Sequence, residues 1–109
     1  MPKSDKLQGS LDLLILKVLS RRPNLHGYAI ISAIRQISEE ILKVEDGSLY
    51  PALHRMEEEG WIRAKWTSTD AGVRRRLYEL TRAGQKQLAE EESRWQHVTL
   101  AVNRVLRMA

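Results

Sequence analysis

The chain contains no cysteine, which excludes a disulfide framework and a thiolate metal site and fits a reducing compartment. No stretch approaches the roughly 18 consecutive apolar residues of a membrane span, and the N-terminus lacks the pattern of a secretory signal. A soluble, cytoplasmic protein is therefore expected. There is no HExxH motif, no glycine-rich phosphate loop and no cysteine nucleophile, and His26, His54 and His97 show no ligand spacing among themselves. These absences argue against an enzyme, a metal centre and a cofactor. At 109 residues the chain has room for one small domain with a modest core and none for a separate catalytic domain, so a partner is expected to complete that core.

Charge is present in excess and unevenly placed. Eighteen Lys and Arg stand against 14 Asp and Glu, a formal +4. A net charge of this size is common, but the distribution is informative: residues 61–80 hold five basic and two acidic residues, whereas residues 26–60 hold three and seven.

Apolar spacing predicts four helices and one hairpin. Leu7, Leu11, Leu14, Ile15, Val18 and Leu19 recur every three or four residues, predicting a first helix to about Arg21 that stops near Pro23. Leu13 and Leu16 widen its apolar surface, so it is expected to be covered on more than one side. A second helix is predicted from His26-Gly27-Tyr28, with Tyr28, Ile31, Ile34 and Ile37 inward. Residues 39–44 read as a connector, with a short strand against the hairpin as one option. The third helix is predicted to be capped by Asp46, Gly47 or Ser48 and to end at Gly60; with Ser48 as cap, Pro51 falls in the first turn. Its apolar face is Leu49, Ala52, Leu53 and Met56. Pro51, His54, Arg55 and Glu58 lie opposite, with Tyr50 flanking.

Ile62, Ala64 and Trp66 alternate with Arg63, Lys65 and Thr67, predicting one strand, and residues 74–80 predict its return around Asp70-Ala71-Gly72, with Gly72 at positive φ. Thr81 is the expected N-cap of a last helix, from about Arg82 to Leu106. Leu88, Trp95 and Val102 recur every seven residues with Val98 and Val105 between them, an apolar stripe that suggests pairing with a second chain. The order helix, helix, helix, hairpin is that of a winged helix-turn-helix. The expected fold is thus mainly α with a small β-hairpin: a winged helix-turn-helix over residues 1–81 and a C-terminal dimerisation helix over residues 82–109.

Four segments carry a family resemblance: Gly9-Ser-Leu-Asp-Leu-Leu-Ile-Leu, His26-Gly27-Tyr28-Ala-Ile, Gly47-Ser-Leu-Tyr-Pro-Ala-Leu-His-Arg-Met-Glu-Glu-Glu-Gly, and Arg74-Arg-Arg-Leu-Tyr-Glu-Leu-Thr-Arg-Ala-Gly. Together they resemble the PadR family of bacterial transcriptional regulators, in its short form with a single C-terminal helix. Met56 and Trp61 stand where leucine is more usual. The resemblance implies a recognition helix at Ser-Leu-Tyr-Pro, a basic wing, and a homodimer built on the last helix. It also implies a DNA-binding repressor, sometimes of its own gene.

On that footing, two recognition helices enter successive major grooves about 34 Å apart, so the operator is expected to be an imperfect palindrome in double-stranded DNA. Ser48 and the first-turn amides are expected to hold phosphate, and Tyr50, Pro51 and His54 to touch base edges, sugars or thymine methyls. Arg55 is expected to meet guanine or phosphate; Arg74, Arg75 and Arg76, with Lys65 and Arg63, supply the wing's charge. Other readings are a half-buried Tyr50, a solvated His54 and a charged edge strand that deters pairing. Glu57, Glu58 and Glu59 read as solvated. Leu88, Trp95, Val98, Val102 and Val105 are the dimerisation residues. Trp95 is either core of that interface or half of a slot for a planar aromatic effector. The alternative function is a winged helix that contacts only other proteins, which predicts no salt-dependent affinity for DNA.

Overall fold

A computed structural model describes residues 3–108, with side chains described for residues 10–108; residues 1, 2 and 109 and the Leu7 side chain lie outside it. The elements are α1 (Lys3–Arg21), α2 (Gly27–Ile37), α3 (Asp46–Glu58), β1 (Ile62–Ser68), β2 (Arg74–Leu80) and α4 (Arg82–Leu106). This is the expected mainly helical fold with one hairpin.

The core forms where the first three helices and the base of the hairpin converge. Leu11, Ile15, Leu16 and Leu19 of α1 meet Ile30 and Ile34 of α2, Leu49, Leu53 and Met56 of α3, and Ile62 and Tyr78 of the hairpin. Each large apolar side chain fully removed from water contributes about 1.5–3 kcal/mol before entropy is counted. All the buried residues among those described are apolar or Tyr78.

The α2 helix is rotated from the sequence expectation. Gly27, Ile30, Ala33 and Ile34 face the core, whereas Tyr28 is 68% exposed and Ile37 60%. A face containing positions 27, 30 and 34 places residue 28 about 100° away, and Tyr28 is thereby freed for another use. Residues 39–44 form no strand. Glu39 and Glu40 take φ of 53° and 71°, a left-handed turn that is incompatible with an extended edge. The wing instead borrows its third pairing from the turn before α2: the Tyr78 amide donates to the Leu25 carbonyl at 2.8 Å, and the Asn24 amide donates to the Tyr78 carbonyl at 3.0 Å.

The start of α3 also differs. Glu45 is the N-cap, without a side-chain hydrogen bond, so Ser48 lies inside the first turn. Pro51 lies in the second turn, where its ring removes the hydrogen bond to the Gly47 carbonyl. Gly60, at φ 79°, ends the helix as expected.

In the hairpin, Ile62 faces Leu80, Ala64 faces Tyr78 and Trp66 faces Arg76, and Gly72 turns the chain at φ 83°. Thr81 then caps α4. Its Oγ1 accepts from the Gly84 amide at 3.0 Å and donates to the Gly60 carbonyl at 2.6 Å. A Cβ on Gly84 would overlap the Trp61 carbonyl oxygen, so glycine is what lets α4 start flush against the strand.

From that anchor α4 runs past the core. The Cα radius of gyration, 15.5 Å, exceeds the about 13 Å expected of a compact chain of this length, and a helix of 25 residues extends about 37 Å. Leu88 belongs to the chain's own core at 8% exposure, which removes it from the expected dimer seam. Trp95, Val98, Val102 and Val105 remain about half exposed or more. The change falls where the α4 stripe leaves α1: among the described residues, Leu88 is buried and Glu92 pairs with Lys17, whereas the apolar face beyond them stays exposed.

Candidate nucleic-acid interface

A cleft opens between the N-terminus of α2, the start of α3 and the hairpin. His26, Gly27 and Tyr28 form one wall, Trp66 and Arg74 to Arg76 the other, and Tyr50 and Tyr78 the floor. Basic and aromatic side chains interleave here, a combination suited to a sugar-phosphate backbone.

Each wall has a local cause. The Tyr50 ring packs over Gly27, where any Cβ would come within 2.7–2.9 Å of it. The absence of a side chain at Gly27 is what admits the aromatic ring. Arg74 stacks on the Trp66 ring at 4.4 Å, which holds the indole at the wing although it is 56% exposed. Arg75 and Lys65 are exposed.

Arg76 behaves differently from its neighbours. It donates to the Glu57 carboxylate at 2.8 Å and lies 5.6 Å from the Trp66 ring centroid and 5.7 Å from that of Tyr78. Arg76 Nε and Glu57 Oε1 are buried without a hydrogen-bond partner among the described residues. Glu57, expected to be solvated, thus ties α3 to β2, and Arg76 is engaged in the fold.

The other expected contacts divide in the same way. Pro51 and His54 are exposed on the outer face of α3, with His54 Nε2 3.6 Å from Glu58. Arg55 is turned to the other flank and donates to Asp12 of α1. Burial raises the pKa of the Asp12 carboxyl from its ordinary value, a shift that Arg55 opposes and Glu91 reinforces. Arg55 therefore neutralises a half-buried acid. Ser48 follows Glu45 and Asp46, whose carboxylates already sit at the positive end of α3 and compete there with phosphate. By contrast, α2 has no acidic residue in its first turn.

His26 stands out in the sequence only as a helix start. In the structure it caps α2, its Nδ1 accepting from the Ala29 amide at 3.3 Å. Only the neutral imidazole offers that acceptor, so its proton lies on Nε2. Desolvation, and then the nearby Arg75 charge, lower its pKa below the ordinary value of 6.5. The unfolded chain takes up the proton first as pH falls, so this contribution to stability is full above 6.5 and is lost on descent through the folded pKa. His26→Ser, which caps with a hydroxyl, should flatten that dependence. The melting temperature of the variant should fall less between pH 7 and 5 than that of the parent, and equal falls would count against the assignment.

A capped, apolar-cored three-helix unit with an antiparallel wing beside its third helix defines a winged helix-turn-helix protein. Comparison with known proteins narrows the class. The model of the transcriptional regulator PadR-like family matches residues 15–90, and the chain belongs to that family, as a DNA-binding transcriptional regulator and not an enzyme. A PadR-like transcriptional regulator from Bacillus cereus is 30% identical, with a TM-score of 0.80 over 96% of this chain and 99% of that one. A transcriptional regulator from Clostridium thermocellum is 27% identical, with a TM-score of 0.83 over 92% and 96%. Among curated sequences, a transcriptional regulator of Mycobacterium tuberculosis is 37% identical over 57 residues, 52% of each chain. No described helix is long and apolar enough to cross a membrane.

Proposed function

We propose that this regulator is a cytoplasmic repressor that binds a palindromic operator as a homodimer, residues 1–81 contacting DNA and residues 82–109 joining the two chains. The observation that carries the DNA-binding surface is the cleft in which Tyr50, Trp66, Arg74 and Arg75 meet the acid-free N-terminus of α2. Phosphate fits best at that N-terminus and along Arg74, Arg75 and Lys65. Pro51 and His54, exposed on α3, are left to face bases, with Tyr50 at their edge. Arg55 and Arg76, held by Asp12 and Glu57, act by fixing α3 against α1 and the wing. Ser48 contributes less than its place in the motif suggests. Trp95 faces the partner chain in this reading, as interface core or as one wall of a slot for a planar aromatic effector.

Salt-dependent binding to the DNA upstream of the protein's own gene tests the reading. Replacing Arg74 and Arg75 by Ala should weaken binding to every duplex and reduce the slope of log K against log salt by about 0.9 for each phosphate that the wing no longer neutralises. His54→Ala should narrow the gap between operator and random DNA with little change in slope. Unchanged affinity and slope in the double arginine variant would show that the wing lies off the duplex, and no salt-dependent affinity in the parent would favour a protein-binding module.

A further inference from the structure

We propose that a second, separate site binds an amphipathic organic anion, an unbranched alkyl chain ending in a carboxylate. The site is a groove of about 290 Å³ between the C-terminal halves of α1 and α2 and the turn that follows α2, near the small end of the range for small-molecule sites. It lies at the opposite end of α2 from the DNA-facing cleft, and the proposal does not depend on how DNA is bound.

The walls are Leu14 and Val18 of α1, Ile34 and Ile37 of α2, and Leu42. Ser38, the one uncharged polar residue of the lining, has its hydroxyl engaged: it donates to the Arg35 carbonyl at 3.2 Å and accepts from the Leu42 amide at 3.0 Å. The interior therefore offers no polar group to a ligand, and an alkyl chain fits it without leaving one unsatisfied.

The mouth is cationic. Lys17, Arg21 and Arg22 border it. Lys17 reaches Glu92 of α4 at 3.2 Å, whereas Arg21 and Arg22 are exposed and form no ion pair among the described residues. An apolar trough beside two such guanidinium groups suits a carboxylate with a tail.

The same charges disfavour the other apolar occupant within reach, the C-terminal half of α4 from a second copy. That segment carries Arg94, Arg104 and Arg107 and has no acidic residue after Glu92, so it would bring cations to a cationic mouth. A ligand seated on Leu42 would hold the turn containing Glu39 and Glu40, both left-handed, which leads into α3. Occupancy would thereby bias the position of α3.

Titration calorimetry of the full chain with sodium hexanoate, octanoate and decanoate, paired with amide NMR spectra, tests the site. Each added methylene should tighten binding about threefold to fourfold until the groove is filled, with shift changes clustered on Leu14, Val18, Ile37 and Leu42. Arg21→Gln with Arg22→Gln should weaken decanoate at least fivefold and leave decan-1-ol unchanged. Ile37→Glu, at an exposed position that keeps the fold, should abolish binding of decanoate. The proposal is overturned if decanoate does not bind, if the arginine variant binds it as the parent does, or if the shifts fall on the α4 stripe. It is equally overturned if Ile37→Glu turns a dimer into a monomer, since the groove would then belong to a second copy.

Discussion

Gly84→Ala should lower stability by about 3 kcal/mol or more, at the upper end of what overpacking costs, and drop the melting temperature by more than about 10 °C. The sign is what makes the experiment informative. At an open helical position the same change stabilises by up to about 1 kcal/mol, because alanine is the better helix former. At Gly84 the added Cβ meets the Trp61 carbonyl oxygen and the Leu80 side chain. The carbonyl belongs to the backbone that also accepts the Thr81 amide at 3.0 Å, so it cannot swing aside without loosening the cap of α4. Gly47→Ala is the matched control: that glycine also lies in a helix, with nothing within 4 Å of its would-be Cβ. Thermal unfolding of both variants checks the contrast, and a stable Gly84→Ala protein would mean that α4 does not start against the β1 end of the wing.

Residues that act on their own backbone are legible in the sequence. Pro23, Gly60, Gly72 and Thr81 each end or begin an element where local chemistry places it, and the hairpin follows from alternation between two such signals. The phase of α2 is not legible, because Tyr28, Ile31 and Ile34 make as good a stripe on paper as Gly27, Ile30 and Ile34. Tertiary packing decides between them: the Tyr50 ring needs the bare face of Gly27 and Ile30 and Ala33 enter the core, contacts that join residues far apart in the chain.

The candidate site divides along the same line. Exposure of Pro51 and His54 follows from helical periodicity. Which arginines stay available does not, because pairing depends on acids elsewhere: Asp12 takes Arg55, and Glu57 takes Arg76. Two further signals lie in the sequence outside its periodicity. A histidine directly before the first residue of a helix stands at the capping position, and a tryptophan across the hairpin from arginines two residues apart can stack with them.

Val98→Glu combined with Val102→Glu should convert the protein from dimer to monomer at micromolar concentration and lower operator affinity by more than about 100-fold, the avidity that disappears when a second half-site is no longer tethered. Trp95 at 52%, Val98 at 51% and Val102 at 49% exposure lie on one side of α4, and Val105 and Leu106 continue the stripe. In the proposed dimer these residues lose their water, so a carboxylate there must be desolvated without a partner and beside its own symmetry mate. The change leaves the core untouched, and the variant should keep its helical circular dichroism and most of its melting temperature apart from the share contributed by association. Leu88 supplies the contrast. Its heptad spacing assigns it to the same seam, yet it is buried within one chain, so Leu88→Ala should cost about 2–5 kcal/mol of folding stability without an equivalent loss of pairing. Sedimentation velocity on the two variants separates the roles: a double-glutamate protein that still sediments as the parent does would place the dimer contact away from the C-terminal half of α4, and with it Trp95 and any ligand slot between paired indoles.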